Sequence, residues 1–324
     1  MSKEPLVSVI MPVYNCGQYL ELAIESILMQ TYANWELLIC DDASTDTTHL
    51  VIEKYINTDE RIKIFRNEYN LKQLKTRNRL LCLAQGELLT FQDGDDFSHI
   101  ERFEKLVNGF RSNPALGMLS SQVGFINSRG ELFGVSKKPT DYRTTQDLMY
   151  VTNVIGGSMA MIKRTALDSV GGIFRSYFDG LSYQDYDLSL LIAEKYESYS
   201  LPDVLYYYRQ HGRSSSKRIS VDRLVAKEVV RHLGLQRREF GCDDLMMGRR
   251  EKIDQYFNSL REPYREDPSL VFRDFASNFM YNKLYLKAIQ AAWAGVIRRP
   301  FILINWTTFQ YCIRKAFLNK LFRV

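Results

Sequence analysis

The first 111 residues alternate between short apolar runs and segments of helical periodicity, and few architectures accept that alternation. Leu6–Val13, Trp35–Cys40, Ile62–Phe65 and Leu88–Phe91 are short, apolar and rich in branched residues, which predicts buried strands. Between them Tyr19–Gln30 carries Leu20, Ala23, Ile24, Ile27 and Leu28 at helical spacing, and Asp46–Ile56, Leu74–Ala84 and Ile100–Arg111 read as helices too. Strands separated by helical stretches of roughly 10–15 residues imply βαβ units and a mainly parallel sheet flanked by helices, an α/β fold.

The pattern changes after residue 116. Gly117–Ile126 and Glu131–Val135 flank Asn127-Ser128-Arg129-Gly130, a hairpin signal, and Gly156-Gly157-Ser158 opens a strand-like run over Met159–Ile162. Asp185–Lys195 reads as a helix and Val204–Arg209 as a tyrosine-rich strand. From Val221 the pattern is helical without clear strands, which places a boundary in the Arg213–Arg218 stretch. The expected domains are therefore 1–217, α/β, and 218–324, a C-terminal helical extension.

Apolar residues make up 45% and charged residues 25%, as in an ordinary globular protein. Cys16, Cys40, Cys82, Cys242 and Cys312 are odd in number and lack C-x-x-C spacing, which speaks against a disulfide framework or a zinc knuckle and for a reducing cytoplasm. No apolar leader and no run of roughly 18–20 apolar residues is present, so neither a secretory signal nor a spanning helix is expected. The net charge of +5 is unevenly spread. No acidic residue follows Asp274, whereas Lys283, Lys287, Arg298, Arg299, Arg314, Lys315, Lys320 and Arg323 do. These cations mix with Trp293, Phe301, Trp306, Phe309, Tyr311 and Phe317, a composition that suits an amphipathic segment on an anionic membrane face better than a nucleic-acid surface. Packing of the same apolar residues within the protein is the alternative.

Three carboxylates crowd into Asp93-Gly94-Asp95-Asp96, directly after the Leu88–Phe91 run. Like charges a few Å apart raise one another's pKa unless a cation lies between them, and dense oxygen ligands suit Mg²⁺ or Mn²⁺. An acidic turn with Asp96 as a helix cap remains open. In an open parallel sheet ligands bind beyond the carboxyl ends of the strands, and here those ends carry Tyr14-Asn15, Asp41-Asp42 and Asp93–Asp96. Neither G-x-G-x-x-G nor G-x-x-x-x-G-K-[ST] is present. Asp42 is placed to accept a pyrimidine ring N–H and Tyr14 to stack on it; a helix cap near Asp46 is the alternative for Asp42.

Pro12-Val13-Tyr14-Asn15, Asp41–Asp46, Arg77-Asn78, Gly86-Glu87 and Asp93–Asp96, in that order, resemble the signature of family 2 glycosyltransferases with the GT-A fold, over roughly residues 6–215. The resemblance implies a metal-dependent, inverting transfer of a sugar from a nucleotide sugar, UDP-linked in the leading reading, to a saccharide or lipid-linked acceptor. Such chemistry serves bacterial surface polysaccharide assembly, at the inner face of the cytoplasmic membrane. Carried over by position, Pro12, Tyr14, Asn15, Asp42, Arg77, Asp93, Gly94, Asp95 and Arg213 would bind the nucleotide sugar. Asp95, Asp96 and His211 would hold Mn²⁺ or Mg²⁺, His211 through a Y-R-x-H-like segment, Tyr208–His211. The family's E-D pair corresponds to Gln184-Asp185, so Asp185 would be the base and Gln184 would border the acceptor. Gly156-Gly157-Ser158 reads either as a further border of the acceptor site, through Gly157 and Ser158, or as a tight entry to the next strand. Asp185 also reads as an N-terminal helix carboxylate, and Leu191 stands where the family often has arginine. Asp187, two residues on, would face away from Asp185 and serve no retaining mechanism. A non-catalytic nucleotide-sugar-binding partner is kept as the second reading. A nucleotidyltransferase is a third, lacking its Gly-rich basic loop.

Overall fold

The computed structural model describes residues 4–212, 220–281 and 284–321. The first half of the chain alternates as its pattern predicts: β1 (Val7–Val13), α1 (Gly17–Leu28), β2 (Trp35–Asp41), α2 (Thr48–Glu53), β3 (Ile62–Arg66), α3 (Lys72–Leu83), β4 (Leu88–Phe91), the two-residue β5 (Phe97–Ser98) and α4 (Arg102–Ser112). Every residue of β2 and β4 is buried, so these strands show no alternation. α2 is shorter than its periodicity suggests: it begins at Thr48, whose backbone N–H and hydroxyl donate to Asp46 at 2.9 and 2.5 Å in the preceding turn, and it ends at Glu53.

Next come β6 (Leu116–Ile126), β7 (Leu132–Val135), α5 (Tyr142–Met149), β8 (Met161–Lys163), α6 (Arg164–Asp168), α7 (Gln184–Ala193) and β9 (Glu197–Arg209). The β6–β7 hairpin turns where expected, with Gly130 at φ +86° and Asn127 Oδ1 accepting from the N–H groups of Arg129 and Glu131. The pattern predicts no helix for α5; it starts at Asp141, whose carboxylate accepts from Thr144 N–H at 2.8 Å. β9 begins seven residues before the expected Val204, because Pro202-Asp203 interrupts the periodicity while β6 shifts register to pair with both halves.

The sheet runs β3-β2-β1-β4-β8-β6-β9-β5, with β7 added on β6. β3, β2, β1 and β4 are mutually parallel, and β8 enters antiparallel between β4 and β6. Strand order reverses at β1, with β2 on one side and β4 on the other, so the carboxyl ends of these three strands open on one crevice. Helices pack apolar faces on this sheet around Val9, Met11, Leu20, Ile24, Leu37, Ile39, Phe103 and Leu106, all solvent-free.

The remaining helices are α8 (Val221–Phe240), α9 (Arg250–Glu266), α10 (Leu270–Tyr281), α11 (Tyr285–Arg298) and α12 (Leu303–Leu321). The chain divides into two units, Met1–Ser214 with Val230–Glu239, and Ser215–Val229 with Phe240–Val324. The second has its own core of Phe275, Ala276, Ala288, Ala291, Ala292 and Cys312. Within it Asn305 is fully buried, and its amide donates to the carbonyl groups of Gly295 and Arg299 at 3.1 and 2.9 Å, closing the end of α11 against the start of α12.

Gly86 shows how tightly the crevice strands are set. Its N–H donates to Ser8 Oγ at 2.7 Å, and a Cβ there would lie 2.6 Å from the Leu6 carbonyl oxygen and the Ser8 backbone nitrogen. Gly86→Ala is expected to cost about 1–3 kcal/mol, read as a lowered melting temperature by calorimetry; an unchanged melting temperature would contradict this packing.

Candidate active site

Two loops are stitched together at the reversal point. Asn15, at φ +50°, donates its N–H to Ser44 Oγ (3.0 Å) and accepts from Thr45 N–H (2.8 Å), while Cys16 N–H donates to Thr48 Oγ1 and Gly17 N–H to Asp46 Oδ2. Pro12 lies in β1 beside Cys40, and Tyr14 projects with half its surface exposed. Gly94 rests on this loop: a Cβ would lie 2.6 Å from Cys16 Sγ.

Asp42 is buried, and it does not cap α2. Its Oδ1 accepts from Asn67 Nδ2 at 2.6 Å and Leu71 N–H at 2.9 Å, and its Oδ2 accepts from Lys72 N–H at 2.9 Å. Asp42 thus fixes the entry to α3. Alongside opens a depression of about 430 Å³ lined by Ala43, Ser44, Arg66, Asn67 and Glu68.

Arg77, on α3, occupies the centre. Its side chain is 2% exposed, with Nη1 donating to Asp185 Oδ1 at 2.7 Å and Nη2 to Asp93 Oδ1 at 2.9 Å. The guanidinium lies against the rings of Phe91 and Phe174. Ser158 donates its hydroxyl to the other Asp93 oxygen at 2.6 Å, and Gly157, at φ +111°, turns the chain into that position. Arg77, read from sequence as a nucleotide-sugar contact, is a buried bridge between two carboxylates 92 positions apart. Ser158, read as an acceptor-side residue, is buried and spends its hydroxyl on Asp93.

Asp185 stands in the first turn of α7 and is one-third exposed. Burial raises its pKa above the usual carboxylate value, opposed by the Arg77 charge. Gln184 Nε2 reaches Gln73 Oε1 at 3.4 Å. Asp187 points elsewhere, paired with both Nε and Nη2 of Arg175, and Leu191 is buried in the core.

The other two carboxylates have different surroundings. Asp96 is 1% exposed; its Oδ1 accepts from Arg209 N–H at 2.7 Å and its Oδ2 from the Tyr206 hydroxyl at 2.9 Å. Burial, then the charges of Asp95 and Asp93, hold its pKa well above the normal range. Asp95 Oδ2 lies 2.8 Å from His211 Nε2, and its pKa too is raised by burial and by Asp93, with His211 opposing. The structure therefore brings Asp95 and His211 together, whereas both oxygens of Asp96 are engaged by protein donors. Arg213 lies outside the described residues.

Residues that the pattern did not flag hold this centre from below. Arg102 is fully buried and donates only to neutral oxygens, including Ser98 Oγ (2.8 Å), Thr90 Oγ1 (2.6 Å) and the Ser158 carbonyl; burial lowers its pKa to about 10. Arg209 is buried with Nε donating to the Asp95 carbonyl and its guanidinium over Tyr19. Arg102 in a helix and Tyr206 in a strand carry no sequence signal that separates them from surface or core.

The glycosyl transferase family 2 model matches residues 8–171. EpsE of Bacillus subtilis (strain 168), named as a glycosyltransferase, is 46% identical over 108 residues, 33% of this chain and 39% of EpsE. WfaP of Escherichia coli, named UDP-Glc:alpha-D-GlcNAc-diphosphoundecaprenol beta-1,3-glucosyltransferase, is 29% identical over 234 residues, 71% of this chain and 88% of WfaP. The chain spans 39% of EpsE's length and 56% of that of a Haemophilus influenzae relative. Among solved structures, residues 1–349 of Staphylococcus aureus TarS with UDP-GlcNAc superpose with a TM-score of 0.60 at 19% identity, covering 96% of this chain and 88% of that one. The helix-flanked mixed sheet is therefore of the GT-A type.

Removing Arg77 leaves two carboxylates without their shared counter-ion. Arg77→Met is expected to destabilise the fold by about 3–5 kcal/mol at neutral pH. The sign with pH follows from the raised pKa of Asp185, which rises further without Arg77. The unfolded carboxylate ionises in its ordinary range, so the penalty is full above the folded-state pKa and shrinks as pH falls through it. Urea unfolding across pH checks this; a penalty independent of pH would refute the bridge.

Proposed function

The chain belongs to glycosyl transferase family 2, and from that premise we propose that it transfers a sugar from a UDP-sugar to a hydroxyl of a lipid-linked saccharide, with inversion at the anomeric carbon. One observation carries the proposal: Arg77 fixes Asp185 and Asp93 on a single guanidinium at the mouth of the strand-end crevice. Asp185 is the base. It takes the acceptor hydroxyl proton as that oxygen forms its bond to the anomeric carbon and the bond to the diphosphate oxygen breaks, the electron pair leaving with the diphosphate. Its raised pKa makes it a stronger base than an ordinary carboxylate. Asp187 is committed to Arg175, and Asp93, the other carboxylate on the Arg77 guanidinium, is assigned to the donor, so this reading takes Asp185 as a single base without a double displacement.

The donor's base and ribose are assigned to Pro12, Tyr14, Asn15, Asp42 and the adjoining depression, and its sugar and diphosphate to Asp93, Gly94 and Asp95, with Arg213 as a further contact. Gln184, on the α7 turn beside Asp185, and Gly157 border the acceptor. The naming of WfaP and the UDP-GlcNAc complex of TarS support a UDP-sugar, and WfaP supports a diphosphoundecaprenol-type acceptor. Such an acceptor places the reaction at a membrane face, the cytoplasmic one in our reading. No helix among the described residues is long and apolar enough to cross a membrane.

Asp95 and His211 fit a divalent cation. One carboxylate and one imidazole are too few to cage an ion, and no group of three His, Cys, Asp or Glu among the described residues is arranged to hold one. That donor set suits Mn²⁺ or Mg²⁺ shared with substrate phosphates. We assign Asp96 to the buried base of the turn that presents Asp95. When bound, the ion offsets the charge that grows on the departing diphosphate.

Asp185→Asn is expected to lower kcat by about 10²–10⁴ while UDP-sugar binding, followed by calorimetry, is retained. EDTA is expected to abolish transfer and added Mn²⁺ to restore it. Unchanged turnover in both experiments would overturn the mechanism. Tight UDP binding without turnover against a wide donor and acceptor panel would favour a non-catalytic binding partner, the second reading.

A further inference from the structure

The second unit presents its apolar residues outward. Surface helices normally turn apolar residues to the core, yet α12 exposes Leu303, Ile304, Tyr311, Phe317 and Leu318, and buries Asn305 and Cys312 toward its partners. The turn that joins α11 to α12 is more extreme. Phe301 is 100% exposed, and Ile297 and Leu303 on either side are 65% and 76% exposed. Beneath this tip Trp293 packs on Trp306 and Phe309, with both indoles still partly exposed. The tip is a fixed shape, since the buried Asn305 amide ties the Arg299 and Gly295 carbonyls and Trp306 Nε1 donates to the Pro300 carbonyl at 2.7 Å.

Charge identifies what such a surface meets. Arg298 and Arg299 flank the tip and Arg314 lies on the exposed face of α12, all three solvent-exposed. The stretch after Asp274 contains eight basic residues and no acidic one. A protein partner of mixed charge would not need this bias, and a nucleic acid would not need an apolar tip. Interfacial aromatics, a protruding Phe and flanking cations are what lipid headgroups and the upper acyl region accommodate together.

We infer that the α11–α12 turn is a membrane-docking wedge, in which Ile297, Phe301, Leu303 and Ile304 enter an anionic lipid surface while Arg298, Arg299 and Arg314 lie at the phosphates. The inference deepens the proposed use of a lipid-linked acceptor and rests on that reading for its purpose, but not for its test. The wedge lies on the surface rather than across it, since no described helix is long and apolar enough to span.

The test measures co-sedimentation of the full chain with phosphatidylcholine vesicles, with and without phosphatidylglycerol, in the absence of donor and acceptor. Wild type is expected to bind the anionic vesicles and to be released by salt. Phe301→Asp with Leu303→Asp is expected to weaken that binding at least about tenfold, with circular dichroism and turnover of a water-soluble acceptor unchanged. Arg298→Gln with Arg299→Gln is expected to weaken binding to anionic vesicles about thirtyfold and to leave the neutral ones unaffected. Equal binding by wild type and both variants would overturn the inference. So would wild-type self-association in light scattering that F301D/L303D abolishes with no vesicle binding, which would make the face an interface between copies. Loss of turnover with vesicle binding intact would count against the proposed reaction and leave the wedge standing.

Discussion

The site depends on one buried guanidinium. Asp93 and Asp185 belong to segments 92 positions apart, one after β4 and one at the start of α7, and both would be ionised and mutually repelling at neutral pH in an ordinary setting. Arg77 gives each a charge-assisted hydrogen bond from a different nitrogen. The planar fork lies against the rings of Phe91 and Phe174, which restrict how far it can turn toward one carboxylate at the expense of the other. A lysine would provide a single mobile charge in the same place. The distance between Asp93 and Asp185 is therefore set by one shared side chain rather than by two independent loops.

Everything that positions Arg77 traces back to the sheet. Reversal of strand order at β1 opens the crevice, and α3 crosses it because Asp42 holds the N–H groups of Leu71 and Lys72. Gly86 permits β4 to lie against β1, and β4 delivers Asp93. On the other side β8 enters antiparallel next to β4, after a turn through Gly157 that brings Ser158 onto Asp93. The parallel half thus supplies the Asp42 and Asp93 side of the crevice and the mixed half the Ser158 side.

Much of this was legible before the fold was known. Burial on both faces makes β1, β2 and β4 read as continuous apolar runs, and the acidic cluster follows the last of them too closely to be missed. What periodicity could not deliver was the direction of long polar side chains. Arg77, Arg102 and Arg209 look like surface cations in sequence and are all nearly solvent-free, because a guanidinium on a helix or strand is buried only when distant segments bring it partners. Asp42 shows the same limit: its position after β2 is plain, but the backbone N–H groups it satisfies belong to a helix 30 residues later. α5 and the first half of β9 were hidden for another reason, since tertiary pairing overrode weak local patterns.

The acidic cluster itself takes on a different meaning. Three carboxylates in four positions suggest a turn that cannot fold without a cation, yet two of them are satisfied by the protein. Asp93 has Arg77 and Ser158, and Asp96 has Tyr206 and the Arg209 N–H, while the positive field of the buried Arg102 reaches Asp93 and Asp96 through neutral oxygens. Only Asp95 turns to a second metal-ligating side chain, His211. The charge problem is therefore solved in two parts. Asp93 has a counter-charge within the fold and Asp96 has neutral donors for both oxygens, while Asp95 is left with an imidazole. The turn therefore keeps its shape through the protein's own donors, which is why the elements beneath it can be packed as tightly as an ordinary core.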